Sequence, residues 1–448
     1  MKTLTLFEHE QTFGFDLTER EQAALERLNR AAGAEVLRAT LCARRVELRA
    51  TQYVGVVRLG RRAVQVLPKI YRGGAKPRAG GEERAALEER IEEEATRNLL
   101  HMLALAGRLP VREHSLAPLA RHGGDWFEIL TRLFAARLLE EWQRGAHRHY
   151  QTIEDELPVL KGRWRVAEQL RRPAHNHLFP VAFDEFTADN SLNRVFRFVV
   201  ERLWRLTRDA DNRRTLGELR QWMEEVRLPA HVTAREAEPA MLTRLNARYE
   251  PLLNLARLFL EGGSLRLAAR DFNTYAFVFD MNKLFEEFVV GLIRRRRERS
   301  LPRVLSDCDL LPQSHGSPHF LARADSRRQV FQLHPDLAFR RGREFPLLLD
   351  TKYKRLDPED RRLGVSQSDF YQMHAYARRY RCPRVILLYP QTAEMSDSQH
   401  ARFTLEDEGG GTIEVATLDL RADLSTAQGR DRMTDELKKI LGGADDPT

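Results

Sequence analysis

Asp336, Asp350 and Lys352, in the last third of the chain, have the types and spacing that metal-assisted phosphodiester chemistry needs. In residues 331–339, Phe331, Leu333, Pro335, Leu337 and Phe339 alternate with Gln332, His334, Asp336 and Ala338. That period of two predicts a strand with Asp336 on its more polar face. Residues 345–354 hold a second apolar run, in which Asp350 and Lys352 stand two apart and share one face of a strand. The intervening RRGRE reads as a turn, making the two runs a hairpin, so the two aspartates meet on neighbouring strands. Two carboxylates supply the oxygen ligands a hard divalent cation wants. Such a cation polarises a phosphoryl oxygen and lowers the pKa of a bound water. A lysine beside it orients that water or stabilises the growing charge, and a strand holds the lysine on rigid structure.

A further carboxylate comes from the preceding helix. Met281, Leu284, Phe285, Phe288, Val289, Leu292 and Ile293 form one apolar face, and Glu286 borders it. Glu287 shares its side with Lys283 and Arg294 and reads as solvated, so Glu286 is the preferred third ligand. After the strands, Gln372 and Tyr376 stand i,i+4 on a helix and share a face. Their donors contact a phosphate, hold the lysine's surroundings in place, or form a buried polar pair against the sheet. His334 reads as a surface or core histidine. The run from Arg294 to Arg297 is either a contact to a polyanion or a solvated helix end suited to the helix dipole. A PD followed by DxK is common by chance; its weight here comes from the apolar strand before DxK, the matching faces and the flanking helices. No GxxxxGK[S/T] and no HExxH occurs, so neither a P-loop nor a zincin helix is evident.

The elements that must position these groups run helix, strands, helix, strand. DMNKLFEEFVVGLIRRRR, VFQLHPDLAF, FPLLLDTKYK, SQSDFYQMHAYARRY and VILLYP give residues 271–448 an α/β order. Residues 85–270 read as a mainly helical middle domain. LEERIEEEATRNLLHMLALAG, WFEILTRLFAARLLEEWQRG, LNRVFRFVVERLWRLTRDA and YEPLLNLARLFLEGG carry apolar residues at helical spacing, several closed by glycine. Residues 1–84 read as a β-rich region, with a short helix over 19–33, a hairpin over 53–70 that Pro68 ends, and a Gly- and Pro-rich linker over 73–84. The whole is a multidomain α+β chain.

At 448 residues, 42% hydrophobic and 31% charged, the chain has the balance of a soluble protein with several cores. Its net charge of +8 and pI near 9.5 suit a polyanionic partner or a plain basic surface equally. Cys42, Cys308 and Cys382 form no CxxC pair; they read as buried apolar residues in a reducing cytoplasm. The first residues lack the apolar core of a signal peptide, and no run of 18 apolar residues predicts a membrane span.

The ordered set of short motifs resembles one family throughout. It comprises Tyr53-Val-Gly-Val, Val66-Leu-Pro-Lys-Ile70, Leu160-Lys-Gly-Arg163, Asp184-Glu-Phe-Thr-Ala-Asp-Asn190 with Asn193-Arg194, Arg244-Leu-Asn246 and Asp280-Met-Asn-Lys-Leu-Phe-Glu286. Pro335-Asp336, Asp350-Thr-Lys352 and Gln372…Tyr376 complete it. The chain resembles the McrC family, the nuclease subunits of McrBC-type modified-cytosine restriction systems. That resemblance implies a C-terminal PD-(D/E)xK restriction-endonuclease-like domain, using Mg²⁺ with Mn²⁺ as a substitute, held by Asp336, Asp350 and Glu286. It implies two partners: methylated or otherwise modified DNA, and a McrB-like AAA+ GTPase hexamer that residues 1–270 bind and stimulate while residues 271–448 cut. The linker over 73–84 stands where some relatives have a more structured insertion, so no motor-activating residue is assigned. A stand-alone repair or defence nuclease and a non-cleaving activator of a GTPase ring are the other readings.

Overall fold

The computed structural model describes residues 3–13, 17–42, 45–59, 62–72, 81–109, 126–171, 177–237, 242–244, 246–264, 274–315, 318–325, 328–395, 397–406 and 409–443. It forms two compact units, one of Met1–Asp125 with Ala268–Thr448 and one of Trp126–Leu267. The first unit begins with β1 (Thr3–Phe7), β2 (Gln11–Phe13), α1 (Glu19–Ala32), β3 (Leu37–Cys42), β4 (Arg45–Ala50), β5 (Tyr53–Leu59), β6 (Arg62–Leu67) and α2 (Gly81–Leu105). The second holds α3 (Trp126–Gln143), β7 (His149–Leu157), β8 (Arg163–Trp164), α4 (Val166–Arg171), β9 (Phe179–Thr187), α5 (Ser191–Leu206), α6 (Ala210–Trp222) and α7 (Glu250–Ser264). The first then resumes with β10 (Thr274–Asp280), α8 (Met281–Arg295), α9 (Arg297–Ser300), β11 (Asp309–Pro312), β12 (His319–Arg323), β13 (Gln329–Leu333), β14 (Leu337–Arg341) and β15 (Glu344–Thr351). It ends with α10 (Gln367–Tyr380), β16 (Arg384–Pro390), β17 (His400–Thr404), β18 (Thr412–Leu418) and α11 (Ala427–Gly442).

The sequence suggests breaks near 84 and 270, with the N-terminal strands standing apart from the last region. The structure joins those two regions through a shared sheet of order β1-β6-β5-β10. In it β10, which leads directly into α8, pairs antiparallel with β5. Gly55 makes the close approach possible: a Cβ there would stand 1.9 Å from the Phe277 carbonyl oxygen, which only glycine avoids. Helix α2 continues the junction, with Gly291 of α8 against the Leu105 carbonyl. Residues 81–84, read from sequence as linker, are the first turn of α2; the rest of that linker, 73–80, lies outside the described residues.

The second sheet of this unit has the order β11-β14-β15-β16-β18-β17. β14 and β15 are antiparallel, β15 and β16 parallel, and α10 makes the crossover that a parallel pair requires. Ser366 caps α10 by accepting from the Asp369 backbone N–H. Leu348, Val385, Leu387, Met373, Tyr376 and Ala377 are buried in the core between sheet and helix. This mixed α/β layer carries the site.

Residues 331–339 are not one continuous strand. β13 ends at Leu333, His334 to Asp336 form a bend, and β14 starts at Leu337 in another sheet. Pro335 lacks the N–H a ladder needs, and the alternation therefore spans two strands. Phe331, expected on the apolar face, is 71% exposed.

The second unit has a helical core in which Phe127, Phe134, Phe196 and Phe259 pack ring against ring. It also contains a three-stranded sheet of order β7-β9-β8, which the mainly helical reading omits. HYQTIEDEL places polar residues on both faces of β7 and so hides the usual alternation. Asn190 and Asn193 anchor its base, their side-chain amides donating to the His147 and Ala188 carbonyls. Cys308 and Cys382 are buried free thiols; the side chain of Cys42 lies outside the described residues. Among the described residues no helix is long and apolar enough to cross a membrane.

Candidate active site

β15 lies between β14 and β16, and Asp350, opposite Leu387, is 1% exposed. The strand ends at Thr351, but the Lys352 backbone N–H still donates to the Leu388 carbonyl at 2.8 Å. That bond carries the two-residue period one step further, and Lys352 Nζ lies 2.5 Å from Asp350 Oδ2. The contact is an ion pair without hydrogen-bond alignment, and Oδ2 is buried with no aligned donor.

Asp336 sits on the bend before β14. Its Oδ2 accepts from both the backbone N–H and the hydroxyl of Thr351, each at 2.6 Å. Its carbonyl accepts from the Gln313 backbone N–H. Gln313 also donates through its side chain to Glu286 Oε1 at 2.8 Å, so one loop residue ties the Asp336 backbone to the Glu286 carboxylate. Gln313 and Ser314 both have positive φ, 46° and 55°, the kind of strain that a surrounding site sustains. The Ser314 hydroxyl is hydrogen-bonded to Tyr380 at 2.6 Å, pinning the loop to α10.

α8 brings Glu286 to this place. Asp280 caps the helix by accepting from the Asn282 backbone N–H, and Gln52 donates to the same carboxylate. Glu287, one step round the helix, pairs with Arg108 instead. From α10, Gln372 donates to the Tyr376 hydroxyl at 2.7 Å, and buried Tyr376 feels the charges of Asp350 and Asp336. Of the arginine run, Arg296 pairs with Asp431 and Arg297 donates to the Ser306 and Cys308 carbonyls. Arg294 and Arg295 remain exposed. His334 is exposed.

The carboxylates repel one another in a dry place. Burial, then the neighbouring Asp336, pushes Asp350 up to about 7, against the pull of Lys352. Burial also raises Asp336, against the two bonds from Thr351, and raises Glu286, with Asp336 adding to it. Burial works against the Lys352 ammonium, but Asp350 outweighs it and the lysine is held above its ordinary value. Three acids held back from ionisation by burial, with Asp336 raising both of the others, are a donor set that a hard divalent cation fits by chemistry. Among the described residues no three acidic, histidine or cysteine side chains already stand as a ligand cage: Asp336 is turned to Thr351 and Glu286 to Gln313.

Sequence reasoning missed the groups behind the site. Glu8 is buried, and its Oε2 accepts from the Lys69 backbone N–H and the Tyr353 hydroxyl, both at 3.0 Å. Lys69 Nζ donates to the Tyr353 carbonyl at 3.2 Å. The N-terminal sheet thus grips the residue after Lys352. The Pro-Lys-Ile motif was the only signal, and it names no partner. Burial lowers Lys69, and burial first, opposed by Lys69, pushes Glu8 up to about 7. The folded state therefore binds a proton that the unfolded chain releases near pH 4.3, and stability falls as pH rises from about 4 to about 7. Above that window the penalty is on the order of 3 kcal/mol. Glu8→Gln should raise Tm by several degrees more at pH 8 than at pH 4; equal shifts in thermal melts at the two pH values would contradict this origin.

The sequence matches the family described as McrBC 5-methylcytosine restriction system component over residues 48–390. No curated protein matches it. Among solved structures, it is similar to a chain of the refined half-complex from a tetradecameric assembly of Thermococcus gammatolerans McrB AAA+ hexamers with bound McrC. Identity there is 24%, with 97% of this chain and 98% of that chain covered and a TM-score of 0.72. It is also similar to a chain of the cryo-EM structure of the Thermococcus gammatolerans McrBC complex, at 27% identity, covering 66% of this chain and 88% of that chain, with a TM-score of 0.50.

Proposed function

The chain belongs to the family of the McrBC 5-methylcytosine restriction system component, and from that premise we propose that it is the cutting subunit of such a system, a Mg²⁺-dependent DNA endonuclease of the PD-(D/E)xK class. The observation that carries the reading is the junction of Asp336, Asp350 and Lys352 at the edges of two adjacent strands, with Thr351 and Lys352 contacting one aspartate each. Asp336 and Asp350 hold the cation, with Glu286 beside them; Mn²⁺ substitutes for Mg²⁺. When bound, the cation supplies Lewis-acid polarisation of the phosphoryl oxygen and a more acidic water.

The chain's own residues do the rest. Lys352 orients the attacking water and stabilises the charge that grows on the phosphate. Thr351 holds Asp336, and Gln313 holds Glu286, beside the place where the cation would bind. Tyr376, held by Gln372, closes the wall near Asp350 and excludes water. The Glu8–Tyr353–Lys69 contacts keep the strand end rigid. The basic net charge suits the DNA backbone.

A separate McrB-like AAA+ GTPase hexamer is the partner that recognises modified DNA and moves it. The second unit offers the face that suits docking. On its three-stranded sheet Tyr150 and Phe186 stand opposite each other, ring centroids 5.0 Å apart, and are 72% and 53% exposed. Trp164 and Leu170 are exposed on the adjoining β8 and α4. Clustered exposed apolar side chains of this size mark interaction surfaces.

The test is reconstitution with the AAA+ GTPase on methylated plasmid in Mg²⁺. Cutting should require the chain, GTP and the methylated DNA. Changing Tyr150→Ser and Phe186→Ser together should weaken the complex by at least about tenfold, since hot-spot aromatics each contribute 2 kcal/mol or more, while the chain's own melting is unchanged. Equal complex formation by the double variant would remove this face from the interface. Absence of any cutting with every component present would remove the nuclease reading.

A further inference from the structure

Between β11 and β14 the chain makes a two-stranded excursion, β12 with β13, belonging to neither large sheet. Its root is fixed. The His319 ring stacks on Tyr380 at 4.0 Å and meets Phe345 edge-on at 5.4 Å. Arg379 donates to the Phe320 carbonyl at 2.7 Å, and Leu333 is buried. Beyond the root the hairpin is exposed on both strands.

Its outer part carries an apolar pair. Leu321 and Phe331 lie on the two strands between the pairs Phe320–Gln332 and Ala322–Val330. They are 52% and 71% exposed. Phe331 has a φ of +59°, which a bulky residue adopts only under constraint. Arg323 and Arg328 flank the pair, both exposed. A rigid root, a strained and solvent-facing aromatic, and flanking cations are what an apolar wedge into a base stack requires.

Resting on the nuclease reading above, we propose that this hairpin is a DNA-engaging wedge, with Phe331 and Leu321 inserting at or stacking on bases and Arg323 and Arg328 on the neighbouring phosphates. Its position fits. Phe331 precedes Asp336 by so few residues that at most about 17 Å of chain separates them, about five nucleotides along one strand. A wedge at that reach distorts the duplex beside the scissile phosphate and sets where the strand enters the site.

The experiment uses the full chain and a short duplex carrying 2-aminopurine near the cut, with Ca²⁺ in place of Mg²⁺ so that binding is read without cleavage. The wild type should raise the 2-aminopurine fluorescence as the base unstacks. Phe331→Ala should lose that rise and bind about tenfold more weakly, whereas Phe331→Trp restores both. Arg323→Ala with Arg328→Ala should lower the slope of log affinity against log salt by about two. Because Phe331 is exposed, melting should not fall in Phe331→Ala. Wild-type affinity and fluorescence in Phe331→Ala would overturn the wedge, including the case where that variant weakens only the complex with the GTPase. Plasmid cleavage separates the two failures: a wild type that never cuts with its partner removes the nuclease reading and the wedge with it, whereas a wild type that cuts beside an unaffected Phe331→Ala removes the wedge alone.

Discussion

Asp350→Asn is expected to lower DNA cleavage in Mg²⁺ by about a thousandfold or more while the protein folds and still stimulates GTP hydrolysis by its partner. The carboxylate is central to the proposed cation site, and removing a preorganised electrostatic group commonly costs a hundred- to a thousandfold in rate by itself; loss of the cation adds to that. Asparagine keeps the shape of a side chain that is 1% exposed and removes a charge that Asp336 and burial oppose, so the metal-free variant should melt no lower than the wild type at pH 8. Single-turnover cleavage of plasmid, with partner GTPase rate and thermal melting alongside, checks all three. Cutting at the wild-type rate would remove Asp350 from the chemistry.

Lys352→Ala should cost about a hundred- to a thousandfold in the same cleavage assay and leave Mg²⁺ affinity at pH 8 close to the wild-type value. An ammonium is not a ligand. Its pairing with Asp350 at 2.5 Å competes with a cation as much as it prepares the site for one. Without the lysine, Asp350 is left with burial and Asp336, both of which disfavour its charge, so proton competition should strengthen as pH falls toward 6. Calorimetric Mg²⁺ titration of wild type and variant reads this directly. Loss of metal affinity at pH 8 would mean that the lysine builds the site rather than acting within it.

Short-range order was legible because the side chains that carry it are local. The Asp-x-Lys spacing sets both groups on one face of β15, and the ladder bond from Lys352 preserves it. The turn between β14 and β15 falls on Gly342, at a φ of +61°, where RRGRE placed it. Helices α1, α3, α5, α7, α8 and α10 follow their apolar periods. The failures are long-range. Nothing in residues 331–339 marks the exchange of sheets at Pro335 except the proline itself, and alternation across it mimics one strand. The pairing of β5 with β10 joins positions that are remote in sequence, and only the crowding at Gly55 forces that glycine. Gln313 holds the Asp336 backbone and the Glu286 carboxylate from a loop with no pattern. Glu8 is an acidic residue at the end of a short strand, and its burial against Tyr353 depends on a sheet that no local window contains.

The most direct measurement is the anomalous scattering of Mn²⁺ soaked into crystals of the wild type and of Asp350→Asn. The wild type should show one peak within about 2.2 Å of carboxylate oxygens from both Asp336 and Asp350, the distance a hard cation keeps from its oxygen ligands, and the variant no peak there. Manganese bound elsewhere alone, or undiminished in Asp350→Asn, would contradict this assignment.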